Sequence, residues 1–263
     1  MDKLIQHAWI PPKPFQYVFF DVDSTLSAIE GIDVLANWNH VGEEVAAITE
    51  QCMSKTGMNP KAYQYRLDKV KPTLQQINEL SELYIQQLTP GAKEVIAILH
   101  QLGKTPFIIS AGLKQALIPL AHHLSIPLAH TFAVDIYFDE TGNYHHFDNT
   151  SLLAKKQGKS SIIEQACPTR DTVLLIGDGL SDLEAEGVVS RFVGFGGHCL
   201  RENVQKASEF YIKTPHLYAL LPLLLTANEV EKLNQQASNL YMKGLTAIQT
   251  NQVIMKELGN VQN

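Results

Sequence analysis

The sequence predicts a doubly wound α/β fold: a parallel sheet with helices on both faces, carrying a small helical cap inserted after its first strand. Three observations predict it. Short apolar runs rich in β-branched and aromatic residues recur along the chain: YVFF at 17–20, TPFIIS at 105–110, TVLLIG at 172–177 and RFVGF at 191–195. Runs that are apolar throughout belong to parallel sheets covered on both faces. Helical patterns lie between them, as parallel crossovers require. The first three runs each end in a small or acidic turn, at the strand ends where such folds hold their ligands. With 263 residues, 45% hydrophobic and 18% charged, the chain suffices for one large domain with an insert. That composition excludes a disordered or fibrous protein.

Each element follows in order. Residues 1–16, with Pro11, Pro12 and Pro14, read as an arm leading to the YVFF strand. From Ile29 to Leu88 apolar residues recur at helical spacing (Val41, Val45, Ile48, then Leu74, Ile77, Leu80, Tyr84, Leu88) and no strand pattern appears. Thr89-Pro90-Gly91 reads as a cap residue and a proline at the first position of a helix that runs to Leu102. LKQALIPLAHHL (113–124) is helical, with Pro119 as a kink. AVDIYF (133–138) and YHHF (144–147) flank the turn 139–143 as a hairpin. A helix follows from Lys159 to Ala166, and EFYI (209–212) is a last strand. Residues 228–263 read as a C-terminal helical extension with Val230, Leu233, Leu240, Leu245 and Ile248 on one face. The boundaries are thus an α/β core of 1–28 and 89–227, a helical cap of 29–88 and the extension.

Composition narrows the partners. The net charge of −6 argues against nucleic acid. The cysteines Cys52, Cys167 and Cys199 form no CxxC pair, which argues against a disulfide framework or a thiolate zinc site. The N-terminus lacks the basic-then-apolar pattern of a signal peptide. The longest apolar run, Leu217 to Leu225, is broken by Pro222 and falls far short of the roughly 20 residues a membrane helix needs. A soluble, cytoplasmic protein without membrane contact is expected; a homodimer stays open.

The strand ends carry the chemistry. YVFF runs into Asp21-Val22-Asp23-Ser24-Thr25, TPFIIS into Ser110-Ala111-Gly112, and TVLLIG into Gly177-Asp178-Gly179-Leu180-Ser181-Asp182; Lys159 opens the helix before the third. A parallel sheet brings these carboxylates, the hydroxyl and the ammonium to one edge. Clustered acids repel unless a cation neutralises them, and oxygen ligands without thiolate suit a hard cation, so Mg²⁺ is expected. The adjacent pairs His122-His123, on a helix where neighbours point about 100° apart, and His145-His146 read as poor two-ligand metal sites with a structural or surface role. Gly194-Phe195-Gly196-Gly197 lacks the Lys-Ser/Thr of a phosphate loop and reads as a turn.

These segments, FFDVDSTLSAIEGIDVLA (19–36), IISAG (108–112), GKSSII (158–163), LLIGDGLSDLEA (174–185) and VGFGGHCLRENV (193–204), resemble the haloacid dehalogenase superfamily of phosphohydrolases, and within it the phosphoserine phosphatase family. The resemblance spans roughly residues 17–225. It implies a Mg²⁺-dependent hydrolysis of O-phospho-L-serine, a reaction of serine biosynthesis, through an aspartyl-phosphate on Asp21. Asp23 would be the general acid and then the general base, which requires a raised pKa. The metal would be held by Asp21, the backbone carbonyl of Asp23 and Asp178, with Asp182 anchoring a water on it. Ser110, Ala111, Gly112 and Lys159 would hold the phosphoryl oxygens. Glu30 would meet the substrate ammonium and Arg66 its carboxylate, since a planar guanidinium binds carboxylate through two bonds. Ser181, Arg201 and Met53 fall on further substrate positions. The sequence departs from the family at Ala111 (usually glycine), Leu113 (usually aromatic) and Ser54 (commonly glycine). Those departures leave the chemistry intact and bear on the substrate; two alternatives stay open, an enzyme of the same superfamily acting on another small phosphomonoester, for example by transfer to homoserine, or an inactive binding protein whose extension recruits a partner.

Overall fold

A computed structural model describes residues 9–52, 59–167 and 169–256 of the chain. The strands are β1 (Tyr17–Phe20), β2 (Thr105–Leu113), β3 (Thr131–Val134), β4 (Ile136–Phe138), β5 (Tyr144–Phe147), β6 (Val173–Gly177), β7 (Arg191–Phe195), β8 (Phe210–Ile212) and β9 (Val253–Met255). Seven of them form one sheet in the order β3-β2-β1-β6-β7-β8-β9, parallel except for the last pair. β1 occupies the middle, where its Val18, Phe19 and Phe20 are fully buried, as a wholly apolar run between two helical layers must be. Phe19 stacks on Phe107 of β2 with centroids 4.5 Å apart.

Register decides where the site lies. Phe20 pairs with Ile108 on one side and Ile176 on the other. The chain therefore leaves β1, β2 and β6 at the same edge, and Asp21, Ser110 and Asp178 follow within one or two residues of that line.

The insert leaves and returns at one point. Ser27 bridges Leu88, Ala28 N–H donates to the Gln87 carbonyl at 2.8 Å, and Thr89 N–H donates to the Leu26 carbonyl at 2.9 Å. Between these stitches lie α1 (Gly31–Trp38), α2 (Gly42–Gln51), α3 (Pro60–Val70) and α4 (Leu74–Gln86). Asn59 caps α3 just ahead of Pro60 at its first turn, and Thr73 with Gln76 forms a reciprocal capping box on α4. The rest of the chain adds α5 (Ala92–Gln101), α6 (Lys114–His123, with Pro119 inside), α7 (Gly158–Ala166), α8 (Leu180–Leu183), α9 (Glu202–Ala207), α10 (Leu221–Leu224), α11 (Ala227–Val230) and α12 (Gln235–Gln249). Among the described residues no helix is long and apolar enough to cross a membrane.

Three expectations need correction. The cap of α5 is Gly91, at φ 88°, and not Thr89; the Thr89 hydroxyl instead donates to the Thr25 carbonyl at 2.6 Å, tying the insert's return to the first loop. AVDIYF is not one strand: its first part belongs to β3 in the main sheet, and only β4 pairs with β5. The C-terminal segment is not helical throughout, because β9 pairs antiparallel with β8 and closes that edge of the sheet. The arm is docked as well: Phe15 is buried, and Arg191 Nη1 donates to the Trp9 carbonyl at 2.8 Å.

Candidate active site

After β1 the backbone makes a wide turn closed by two hydrogen bonds five residues apart, Leu26 N–H to Asp21 O and Ser27 N–H to Val22 O. Ser24 sits in it at φ 53°, a left-handed conformation uncommon for a residue with a side chain. The turn drops Asp21 into the interior at 2% exposure and brings Asp23 beside it. β2 carries Ser110 three residues before its end, where the hydroxyl accepts Gly112 N–H at 2.8 Å and donates to Asp23 Oδ2 at 3.3 Å. A side chain at residue 112 would crowd Ser110 Oγ and Asp23 Oδ2, which explains the glycine. Tyr63 of α3 donates to the Ala111 carbonyl at 3.0 Å, so the insert is tied to this strand end.

Lys159, in the first turn of α7, is buried with its Nζ 2.8 Å from Asp21 Oδ1 and 2.6 Å from Asp182 Oδ1. Burial alone would lower its pKa; the Asp182 and Asp21 carboxylates reverse that, and it stays charged. Asp178 Oδ2 accepts from Arg201 Nε at 2.9 Å, while its Oδ1 is buried without a hydrogen-bond partner among the described residues. Asp182 Oδ2 accepts Gly179 N–H at 3.2 Å. Burial, then the neighbouring Asp21 charge, raises the carboxyl of Asp182 to about 7 and that of Asp178 well above the usual range. Oxygens of Asp21, Asp178 and Asp182 lie within 4.8 Å of one another. An unsatisfied buried carboxylate oxygen in such a cluster is costly, and a divalent cation among hard oxygen ligands answers it. These three residues fit a metal ion. The Asp23 side chain is outside this group: its Oδ1 accepts Gly31 N–H and the Tyr84 hydroxyl, both at 2.7 Å. Burial, then the Asp21 charge, raises Asp23 to about 6.

One cavity opens onto these groups. Asp21, Asp23, Ser110, Ala111, Gly112, Lys159 and Ser181 form its floor, and Glu30, Thr49 and Arg66 join apolar residues of the insert in its walls. Arg66 is 5% exposed, gives Nη1 to Thr49 Oγ1 at 3.1 Å and lies over the Tyr63 ring. Glu30 Oε1 accepts from Ser24 Oγ at 2.9 Å and from Arg201 Nη2 at 3.1 Å. Burial, with the Asp178 and Asp23 charges, pushes its carboxyl well above the usual range.

The expected site residues thus converge, with two qualifications. Arg201 does not line the cavity: its guanidinium is engaged with Asp178, Glu30 and Glu50. Met53 lies outside the described residues. Sequence reasoning missed Tyr63, Tyr84 and Thr49. The helical spacing that marks Tyr84 as a packing residue holds, but its hydroxyl continues past the packed ring to Asp23. His145 and His146 are exposed, as expected.

A family model described as haloacid dehalogenase-like hydrolase matches residues 15–185. The chain is 34% identical over 200 residues to the phosphoserine phosphatase of Drosophila melanogaster, covering 75% of this chain and 74% of that one. It is 34% identical over 197 residues to the phosphoserine phosphatase of Bos taurus, covering 74% and 88%. The crystal structure of a phosphoserine phosphohydrolase-like protein from Francisella tularensis superposes with a TM-score of 0.69 at 27% identity, covering 76% of this chain and 95% of that one.

Proposed function

The chain belongs to the haloacid dehalogenase-like hydrolases, and from that premise we propose that it hydrolyses O-phospho-L-serine to serine and phosphate, with Mg²⁺ as the metal. The observation that carries this reading is the composition of the cavity at these strand ends. It places two carboxylates and an ammonium at its floor with an acid, Glu30, and a guanidinium, Arg66, in its walls. A pocket with one anionic and one cationic clamp selects a phosphorylated zwitterion.

Asp21 is the nucleophile: its carboxylate forms the bond to phosphorus as the bond to the serine oxygen breaks. Asp23, held near pH 6, protonates that leaving oxygen. It then takes the proton of the water that hydrolyses the aspartyl-phosphate, releasing phosphate and restoring Asp21. Lys159 and the Ser110 hydroxyl hold the phosphoryl oxygens, and the Gly112 N–H, which donates to Ser110 Oγ, orients that hydroxyl. Mg²⁺, held by Asp21, Asp178 and Asp182, would offset the charge that phosphate brings to the acids. Glu30 receives the ammonium and Arg66 the carboxylate.

Phosphate release with Mg²⁺ over L-phosphoserine, phosphothreonine, phosphoethanolamine, a sugar phosphate and a nucleotide tests this, with Asp21→Asn as control. Preference for L-phosphoserine, abolished in the control, is the expected result. Equal turnover of phosphoethanolamine keeps the mechanism and removes the Arg66 clamp, because that substrate has no carboxylate.

A further inference from the structure

Arg201 is the meeting point of three carboxylates from three parts of the fold. It precedes α9 and is positioned by its backbone N–H, which donates to the Tyr211 hydroxyl at 3.4 Å. Its Nε meets Asp178 Oδ2 at 2.9 Å at the end of β6, and its Nη2 meets Glu30 Oε1 at 3.1 Å at the root of the insert. Its Nη1 meets Glu50 Oε2 at 2.7 Å in the last turn of α2. The first two acids belong to the site. Glu50 does not: its side chain is 61% exposed and it lines no part of the cavity. Its neighbour Thr49, however, faces the cavity, where its hydroxyl accepts from Arg66 Nη1 at 3.1 Å and donates to Asp33 Oδ1 at 2.8 Å. One helical turn thus carries both the pairing to the core and the seat of Arg66.

We propose that Glu50 is a positioning residue: by pairing with Arg201 it latches α2 to the core and so seats Thr49 and Arg66 over the substrate. A binding-competent state that is only partly populated weakens apparent affinity in proportion. The latch therefore acts on KM and leaves the chemical step alone. Its size is bounded, because an ion pair with one exposed partner shifts an equilibrium by at most about fivefold. Removing Glu50 strands no buried charge, since Arg201 keeps Asp178 and Glu30, so the variants fold.

The test is hydrogen exchange in the presence of Mg²⁺, comparing the native protein with Glu50→Asp, Glu50→Gln and Glu50→Arg. Exchange at residues 42–51 is expected to speed up about two- to fivefold in Glu50→Gln, consistent with that bound. It should speed up more in Glu50→Arg, where two cations face each other, and less in Glu50→Asp. Residues 92–101 of α5 should exchange as before. In parallel, KM for L-phosphoserine should rise in the same order with kcat unchanged. Unchanged exchange at 42–51 in Glu50→Arg would overturn the latch, and so would equal acceleration at 92–101, which marks general destabilisation. The kinetic arm rests on the activity proposed above, but the exchange arm does not. A native protein inactive on L-phosphoserine would refute the substrate and leave the exchange result to decide the latch.

Discussion

The Tyr84 hydroxyl reaches from the insert to the core and donates to Asp23 Oδ1 at 2.7 Å. This bond favours the charged carboxylate and opposes the burial and the Asp21 charge that hold Asp23 near 6. Tyr84→Phe should therefore raise the Asp23 pKa further, by about one unit for a hydrogen bond of roughly 1.4 kcal/mol. Hydrolysis of the aspartyl-phosphate needs ionised Asp23. Its rate should fall about fivefold at pH 6 and hold at pH 8, which follows from the change in ionised fraction. Decay of the phosphoenzyme after a single turnover measures it. A pH profile unmoved by the substitution would mean that Tyr84 does not tune Asp23.

The raised carboxyls also set how stability responds to pH in protein stripped of metal. In the unfolded chain Asp23 and Asp182 have the ordinary aspartate value of 3.8; folded, they are raised to about 6 and about 7. Between those limits the native state holds more protons than the unfolded one, so stability falls as pH rises from about 4 to about 7. In EDTA the melting temperature should drop across that window. Adding Mg²⁺ should raise it more at pH 8 than at pH 5, because the ion binds the deprotonated acids. Thermal denaturation at the two pH values, with and without Mg²⁺, checks this; a metal shift larger at pH 5 would contradict the assignment of these acids.

The legibility of the site divides along physical lines. Asp21 and Asp178 could be placed because uniformly apolar runs precede them, and parallel register aligns the ends of such strands. Lys159 needed the resemblance, since Lys155 and Lys156 stand close by in the sequence and only the fold buries one ammonium between two acids. Arg201 illustrates the opposite limit. Its partners Asp178 and Glu50 lie 23 and 151 residues away, and no local pattern reports a pairing set by the docking of α2 on the core. β9 was not legible because three residues after a helix are too few to show a period. Gly91 displaced Thr89 as the cap of α5 because a left-handed residue at that corner turns the chain into the helix.

Arg66 offers the sharpest test of specificity. Its guanidinium is buried in the cavity wall, bonded to Thr49 and lying over Tyr63, and its planar fork is a geometry that lysine cannot reproduce. Arg66→Lys should lower kcat/KM for L-phosphoserine by about tenfold to a hundredfold, the size of one charge-assisted pair. The same change should leave phosphoethanolamine turnover within about twofold. Steady-state kinetics on the two substrates decide it, and parallel losses on both would remove the carboxylate contact.

The C-terminal segment is part of the core packing, which changes what its removal would test. Leu217, Leu220, Leu221, Leu223, Leu224 and Leu225 are fully buried, and α12 packs across the segment they occupy. Truncation after Leu225 would strip that cover and report lost packing instead of a lost partner. A finer probe is Gly244, where an added methyl would lie 2.6 Å from the Tyr218 carbonyl oxygen and 2.7 Å from Pro222 Cδ. Alanine gains about 1 kcal/mol of helix propensity over glycine, yet forcing a methyl against backbone costs about 1–3 kcal/mol. The clash should win, because the neighbouring oxygen is held by the chain and cannot rotate away. Gly244→Ala should lower the melting temperature by about 2–6 °C while turnover per folded molecule stays unchanged, since Gly244, Tyr218 and Pro222 do not line the cavity. Scanning calorimetry with active-site titration measures both, and an unchanged or higher melting temperature would show that α12 can move away from this contact at little cost.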